Sequence, residues 1–274
     1  MLNAGALLPE NFSPRDGVAS SSPSQPRADA VILRAMRRGD YGYDAPIGLV
    51  IFGTLALVSA VLATATWPKP PSAISAGYAV FFLANTASFW FTTRRGKFAE
   101  WDRILDRLDL RGDERVLDKG CGRGAVLVAV ARRLTTGRAT GIDIWNTADQ
   151  SGNAKEVTLR NAELEGVAER IDVETGDMRA LPFPDATFDL VVSSLAIHNI
   201  HPNAERRKAI AEAFRVLKPG GHIVIADIRA VSTYADVLRT LGATSLERRR
   251  LGWRFWWGNP VAATKLLTAA KARV

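Results

Sequence analysis

Cysteine is nearly missing from this chain. A single thiol, Cys121, among 274 residues excludes an intramolecular disulfide, a thiolate zinc cluster and an iron–sulfur site. That usage fits a reducing compartment. No internal repeat is visible, which argues against a solenoid or propeller. Charge is missing from two long stretches, 45–68 and 70–93, separated only by Lys69 and its flanking prolines. Residues 1–26 have little apolar content and are rich in Pro and Ser, so disorder is expected there. They lack the basic start and apolar run of a secretory signal.

Each charge-free stretch is about the length that a bilayer core demands of a helix, roughly 20 residues. Helices are predicted at about 47–66 and 73–92. Their apolar residues run all the way round, leaving no polar face. Trp67, Trp90 and Phe91 sit near the ends, where interfacial aromatic anchors belong. Gly53, Ala60, Gly77 and Ala84 are small enough for close helix approach, and Asn85 should find a partner in the first span. Arg34, Arg37 and Arg38 precede the pair, while Arg94, Arg95 and Lys97 follow it. Both termini and everything after residue 93 are therefore expected on the cytoplasmic side of an integral membrane protein with two spans. Residues 28–38 fit either a short interfacial helix or a linker.

The net charge of +8 is concentrated. Residues 1–45 are balanced at five basic and five acidic, Arg94, Arg95 and Lys97 add three positive charges, and 247–274 hold seven basic residues against one acid. Positive charge beside apolar and aromatic residues suggests an anionic membrane surface, with a solvated basic face as the plainer reading. It disfavours nucleic acid, which calls for a basic recognition helix or sheet face.

From Phe98 the pattern becomes α/β. A helix is predicted over 98–108 and strands over 115–118, 139–144, 171–175, 188–193 and 222–227, with helices over 125–134, 154–165 and 203–217 between them. Apolar strands joined by helices imply parallel pairing with helices on both faces. Lys218-Pro219-Gly220-Gly221 should end a helix and turn into the next strand.

In such a sheet a ligand sits outside the carboxyl ends of the strands. Gly120, Gly122 and Gly124 follow the first strand, Asp143 ends the second, Asp177 and Met178 follow the third, Ser193 to His198 end and follow the fourth, and Asp227 ends the fifth. A carboxylate at the end of the second strand suits ribose hydroxyls, so the ligand is expected to contain a nucleoside. The turn alone also satisfies a dinucleotide fingerprint through Gly120, Gly122 and Ala125. Acidic Asp118 inside the first strand, the third alternate glycine and the Gly176-Asp177-Met178 turn tip the balance away from a dinucleotide.

At these residues the chain resembles a class I S-adenosylmethionine-dependent methyltransferase. The resemblance covers roughly 98–274. It is carried in order by Val-Leu-Asp-Lys-Gly-Cys-Gly-Arg-Gly at 116–124, Gly-Ile-Asp-Ile at 141–144, Gly-Asp-Met at 176–178, Leu-Pro-Phe-Pro-Asp-Ala-Thr-Phe-Asp at 181–189 and Val-Leu-Lys-Pro-Gly-Gly at 216–221. It looks most like the branch containing ubiquinone/menaquinone and sterol C-methyltransferases. The resemblance implies a Rossmann-like seven-stranded sheet whose last strand, within 262–270, is antiparallel. It also implies that Asp118 binds the cofactor's amino group, with Gly120, Cys121, Gly122 and Gly124 beneath the amino acid and ribose. Asp143 would hold the ribose hydroxyls, Ile144 would pack on adenine, Asp177 would meet the adenine amine, and Met178 would cover the ring. Ser193 joins this cofactor-binding set. His198, in the loop beside the sulfur, is a candidate base, with pocket lining or helix capping as its plainer role. Cys121 reads as a small turn residue rather than a nucleophile. No metal site is expected.

The Arg- and Trp-rich run 248–260 fits a membrane interface or pocket roof, ordinary packing of the last two strands, or stacking on single-stranded nucleic acid. The expected organisation is a juxtamembrane segment 1–44, a transmembrane α-helical hairpin 45–93 and a methyltransferase domain 94–274 acting on a small lipophilic acceptor at membrane lipids. A non-catalytic nucleoside-binding membrane adaptor and a nicotinamide-dependent oxidoreductase are the alternatives.

Overall fold

The computed structural model describes residues 37–273. The expected disorder of 1–26 and most of the 28–38 segment, including Arg34, lie outside the described residues. Residues from Arg38 onward belong to one unit.

Helix α1 (Pro46–Ala65) and helix α2 (Pro71–Phe91) form an antiparallel hairpin close to the ranges predicted from charge and length. Each starts with proline in its first turn, where the missing N–H costs nothing. None of α1 is buried, and of α2 only Ser72, Asn85 and Phe89 are. Both are long and apolar enough to cross a membrane. The close approach is made by Gly48, where a Cβ would meet the Phe89 ring at 2.9 Å, whereas Gly53 and Gly77 have open space. Asn85 finds no partner in α1. Its Nδ2 donates to the Phe81 carbonyl one turn back, and its Oδ1 accepts from Asn259 Nδ2 in the C-terminal half of the chain.

A π-helical turn (Thr92–Gly96) carries α2 without a break into α3 (Lys97–Arg107). The boundary expected at residues 93 and 94 therefore falls inside a continuous helical run. Helix α3 is amphipathic, burying Phe98, Trp101, Ile104 and Leu105.

The sheet follows: β1 (Arg115–Lys119), α4 (Ala125–Ala131), β2 (Arg138–Asp143), α5 (Lys155–Leu164), β3 (Ile171–Thr175), β4 (Phe188–Ser194), α6 (Asn203–Arg215), β5 (Leu217–Asp227), α7 (Val231–Thr240), β6 (Ala243–Arg250) and β7 (Lys265–Lys271). Its order is β3-β2-β1-β4-β5-β7-β6. The first five strands pair in parallel, and β7 lies antiparallel between β5 and β6. The antiparallel last strand begins where expected and runs one residue further. The Lys218-Pro219-Gly220-Gly221 stretch is not a turn into β5. It lies within β5, where the register against β4 slips between Phe188 and Leu190. Helix α7 goes beyond the predicted elements, although Val231, Tyr234, Ala235 and Leu238 recur at helical spacing and are buried; strand β6 is mostly exposed and shows no such pattern.

Two apolar layers cover the sheet. Trp101, Leu105, Leu127 and Val130 belong to one, and Leu117, Phe188, Ile210 and Leu238 to the other. Burying each such side chain contributes about 1.5–3 kcal/mol. The strand order reverses between β1 and β4, which opens a crevice at their carboxyl ends.

Candidate cofactor and acceptor site

That crevice is a cavity of ≈410 Å³ running from the glycine turn to the foot of the hairpin. Asp118, Gly120, Cys121, Gly122, Asp143, Ile144, Asp177, Met178 and His198 all line it, as do Ala45, Phe98, Trp101 and Trp257.

The turn after β1 holds Gly120, Gly122 and Gly124 at positive φ. A Cβ on Gly120 would collide with the Ala196 Cβ and reach Met178 Cε at 3.0 Å. Gly124 is the N-cap of α4 and does not line the cavity; it shapes the turn. Cys121 is buried with its Sγ against the backbone of Gly141, where a Cβ would come within 2.8 Å. Burial, with the Asp118 and Asp143 charges next, raises its thiol well above the usual range, so it is a packing residue and not a nucleophile.

Asp118 is 2 % exposed, and neither carboxylate oxygen has an aligned hydrogen bond; the Leu127 N–H at the start of α4 comes near enough only to offset a little of the burial cost. Desolvation, followed by repulsion from Asp143, raises its pKa to about 8. A buried carboxylate without an aligned donor, facing a cavity, fits an ammonium group supplied by a ligand. Asp143 is already oriented: Oδ2 accepts from Gly122 N at 2.9 Å, and Oδ1 from Trp145 N at 2.7 Å and Asn153 Nδ2 at 3.3 Å. Each oxygen has two lone-pair directions, so Oδ2 keeps one for a hydroxyl, and a second hydroxyl would have to displace the long bond from Asn153. Ile144 stands 62 % exposed beside it, an apolar surface for a flat ring. These features fit S-adenosylmethionine: a counterion for its amino group, a glycine cradle, a ribose acceptor and an apolar wall.

Two expectations need revision. Ser193 is 1 % exposed and donates to the Lys119 carbonyl, tying β4 to β1 beneath the cavity. The alternation of a strand turns Ser194 to the cavity instead, where its Oγ accepts from Trp101 Nε1 at 2.9 Å. Asp177 is not free for an adenine amine alone. Arg179 grips both its oxygens, with Nε at 3.0 and 2.8 Å, and that hydrogen bonding holds its carboxyl below the usual range.

His198 is backed by Asp227, a pairing that its position in the sequence could not reveal. Nδ1 lies 2.6 Å from Asp227 Oδ1, a close contact without the alignment of a hydrogen bond. Asp227 is fully buried and accepts from Ile228 N, His198 N and the Tyr234 hydroxyl. His201 lines the cavity mouth with its Nδ1 3.2 Å from Arg206 Nη2.

Sequence reasoning also missed a strap, residues 38–45, laid across the cofactor side of the cavity. Arg38 N and Gly39 N donate to Glu165 Oε1, and Asp40 N donates to Asn161 Oδ1. Arg123, from the glycine turn, donates to the Asp40 carbonyl and carboxylate. Asp44 accepts from Gln150 Nε2 at 2.9 Å and from Lys97 Nζ at 2.5 Å, and Gln150 Oε1 accepts from Arg123 N. One chain of bonds thus links the hairpin foot to the glycine turn. The mixture of charged, glycine and tyrosine residues over 38–44 carries no periodicity that could have announced it.

Residues 117–225 match a protein-family model described as "Methyltransferase domain". The chain is 35% identical over 126 residues to the ubiquinone/menaquinone biosynthesis C-methyltransferase UbiE of Ruegeria sp. (strain TM1040), covering 46% of this chain and 47% of that protein. It is also 35% identical over 138 residues to the 27-O-demethylrifamycin SV methyltransferase of Amycolatopsis mediterranei (strain S699), covering 50% and 46%. The chain thus spans a little under half the length of these relatives. Among solved structures, the [4+2]-cyclase SpnF superposes with a TM-score of 0.51 at 22% identity, covering 63% of this chain and 82% of that one, which shows the fold. Residues 117–225 accordingly carry a methyltransferase domain whose cavity fits S-adenosylmethionine as cofactor.

Proposed function

We propose that the chain is a membrane-anchored, S-adenosylmethionine-dependent methyltransferase acting on a small lipophilic acceptor. The observation that carries the cofactor reading is Asp118, a buried carboxylate with no aligned partner at the end of β1 above the glycine turn. A nicotinamide dinucleotide offers no ammonium to that position, so the oxidoreductase reading leaves the carboxylate unexplained.

When bound, the cofactor supplies an activated methyl group on a sulfonium. Asp118 and the glycine turn hold its amino-acid end, and Asp143 its ribose. Phe98, Trp101 and Trp257 form the apolar wall on the acceptor side and exclude water. His198, with Nδ1 held at Asp227, presents Nε2 as the atom that accepts a proton from the acceptor. Tyr234 and the backbone donors fix Asp227, which orients the imidazole. Alignment of acceptor and methyl group supplies most of the acceleration.

Anchoring is supported by the exposed apolar surface of the hairpin. Ile47 is 72% and Val80 69% exposed, and the hairpin side chains together make a sleeve that water disfavours. A lipophilic acceptor is supported by the cavity reaching Ala45 at the hairpin foot, and by the ubiquinone/menaquinone biosynthesis named for the similar C-methyltransferase. The SpnF likeness keeps a non-methylating reading in view, because that fold serves a cyclase as well.

The deciding experiment incubates the full chain in phospholipid vesicles with methyl-labelled S-adenosylmethionine and a panel of membrane-partitioning phenols, quinols and sterols. Label in an acceptor is the expected outcome. Cofactor binding with no product across the panel would favour the non-catalytic adaptor.

A further inference from the structure

The connection between β6 and β7, residues 251–264, does not return directly to the sheet. It climbs along α2. Trp253 stacks on Phe91 with centroids 5.1 Å apart, Thr92 Oγ1 donates to the Trp256 carbonyl, Trp257 meets Phe89 edge-on at 5.0 Å, and Asn259 reaches Asn85. Gly96 lets the Arg254 carbonyl abut the helix, and Gly258 fits against Asn85 and Phe52.

Helix geometry turns these contacts into a depth. At 1.5 Å per residue, α1 is about 30 Å long from Pro46 to Ala65, the thickness of a hydrocarbon core. The tip of the connection sits at the level of Phe52 and Asn85. Only residues 53–65 of α1 lie beyond it, about 20 Å, which is too short to span. If the hairpin crosses, the hydrocarbon must begin near Pro46, and the tip then lies about 9 Å inside it.

The connection is built for that environment. Residues 255–264 contain no charged side chain. Several of their polar groups are satisfied within the protein: Asn259 Oδ1 caps Val261 N and Ala262 N, Trp257 Nε1 donates to Thr264 Oγ1, and the Trp256 carbonyl and Asn259 Nδ2 pair with Thr92 and Asn85. Val261 is 91% exposed at the tip. The cations Arg94, Arg95, Arg250 and Arg254 lie in the segments that lead into this region, where headgroup phosphates would meet them.

We propose that residues 255–262 are a wedge inserted among the acyl chains of the leaflet facing the catalytic domain. Trp257, which lines both wedge and cavity, together with Ala45 sets the acceptor entrance at the boundary between headgroups and acyl chains. An acceptor with an apolar tail then reaches the methyl-transfer site from the bilayer and not from water. This rests on the membrane-anchored reading above.

The test places an environment-sensitive NBD fluorophore on the full chain carrying Val261→Cys, with Lys208→Cys as a control on exposed α6; the native Cys121 is buried. The protein is reconstituted in phosphatidylcholine/phosphatidylglycerol vesicles. Loss of most of the emission at 261 to acyl-chain nitroxide lipids, with no quenching by aqueous iodide and the reverse pattern at 208, is the expected result. Protein that resists carbonate extraction but whose 261 label is quenched by iodide would overturn the wedge and leave the anchor intact, and so would a 261 label shielded by a co-purifying protein rather than by lipid. Extraction by carbonate would remove the anchor reading and the wedge with it.

Discussion

Replacing Asp118 with Asn should move folding and binding in opposite directions. Its two oxygens are buried without aligned donors, and desolvation, with Asp143 repulsion second, lifts its pKa from 3.8 to about 8. A carboxyl raised in this way contributes stability that is fully present below about pH 4 and is lost as the pH rises through about 8. Each pH unit between those values costs about 1.4 kcal/mol, or about 4 kcal/mol by pH 7 in a dry site. Water in an open cavity screens part of this, leaving about 2–4 kcal/mol. Asn does not ionise, so Asp118→Asn should melt higher than the wild type at pH 7 without cofactor, and its stability should depend less on pH between 5 and 8. The same change removes the counterion for the cofactor's ammonium. Losing one partner of a buried charge pair costs about 3–5 kcal/mol, which weakens binding by about two to three orders of magnitude. Wild-type affinity should itself rise by up to about tenfold from pH 6 to 7, because binding requires the ionised carboxylate. Thermal melts across pH and titration calorimetry with S-adenosylmethionine read both effects. A variant that melts below the wild type throughout, or that binds the cofactor normally, would refute the reasoning.

Other expectations follow from the same geometry. Lys119 is fully buried with Nζ on the Ala209 carbonyl, and desolvation lowers its pKa to about 7. The charged form is penalised on folding, so stability should rise as the pH goes from about 7 to 10.5, and Lys119→Met should add about 2 kcal/mol at pH 6–7 and flatten that slope in pH-dependent melts. His198→Gln should lower kcat by about 10²–10⁴ with cofactor affinity unchanged. Asp227→Asn should lower kcat through the orientation of His198 and shift the pH–rate profile, which a purely structural loss would not do. Asp44→Ala leaves Lys97 buried and unpaired and should cost about 3 kcal/mol, recovered in part by Lys97→Met in a double-mutant cycle. It should also weaken cofactor binding through Gln150, measured by calorimetry.

The strap changes how an anchor deletion would be read. Removing residues 1–93 takes away Asp40, Asp44 and their bonds to Arg123 and Gln150 along with the two apolar helices. Lost activity would then report a damaged cofactor wall as well as lost tethering. A cleaner comparison keeps 38–45 and alters only the exposed apolar side chains of α1.

Local chemistry was legible in the chain. Two charge-free runs of spanning length specified the hairpin, because helix length and apolarity are properties of a segment alone. The glycine turn, Asp118 and Asp143 could be placed because they lie at strand ends whose apolar cores set the register, and the antiparallel last strand followed from the resemblance those motifs carry. Pairings between distant segments were not legible. Ser193 and Ser194 differ only in which side of β4 they face. Asp177 looked free although its partner Arg179 is only two residues on, because a side chain folding back within a turn leaves no mark in the pattern. Asp227 became the partner of His198 only when β4 and β5 were set side by side. Asn85 looked like an interhelical residue, and only the tertiary structure brought Asn259 to it. The sequence alone determined most of the helices and strands and the glycine turn, since those depend on neighbours a few residues away, although the Lys218–Gly221 stretch became strand only by pairing with β4. Which polar groups meet across 29, 106 or 174 residues was decided by packing, because burial leaves each of them only the partners that the sheet order delivers.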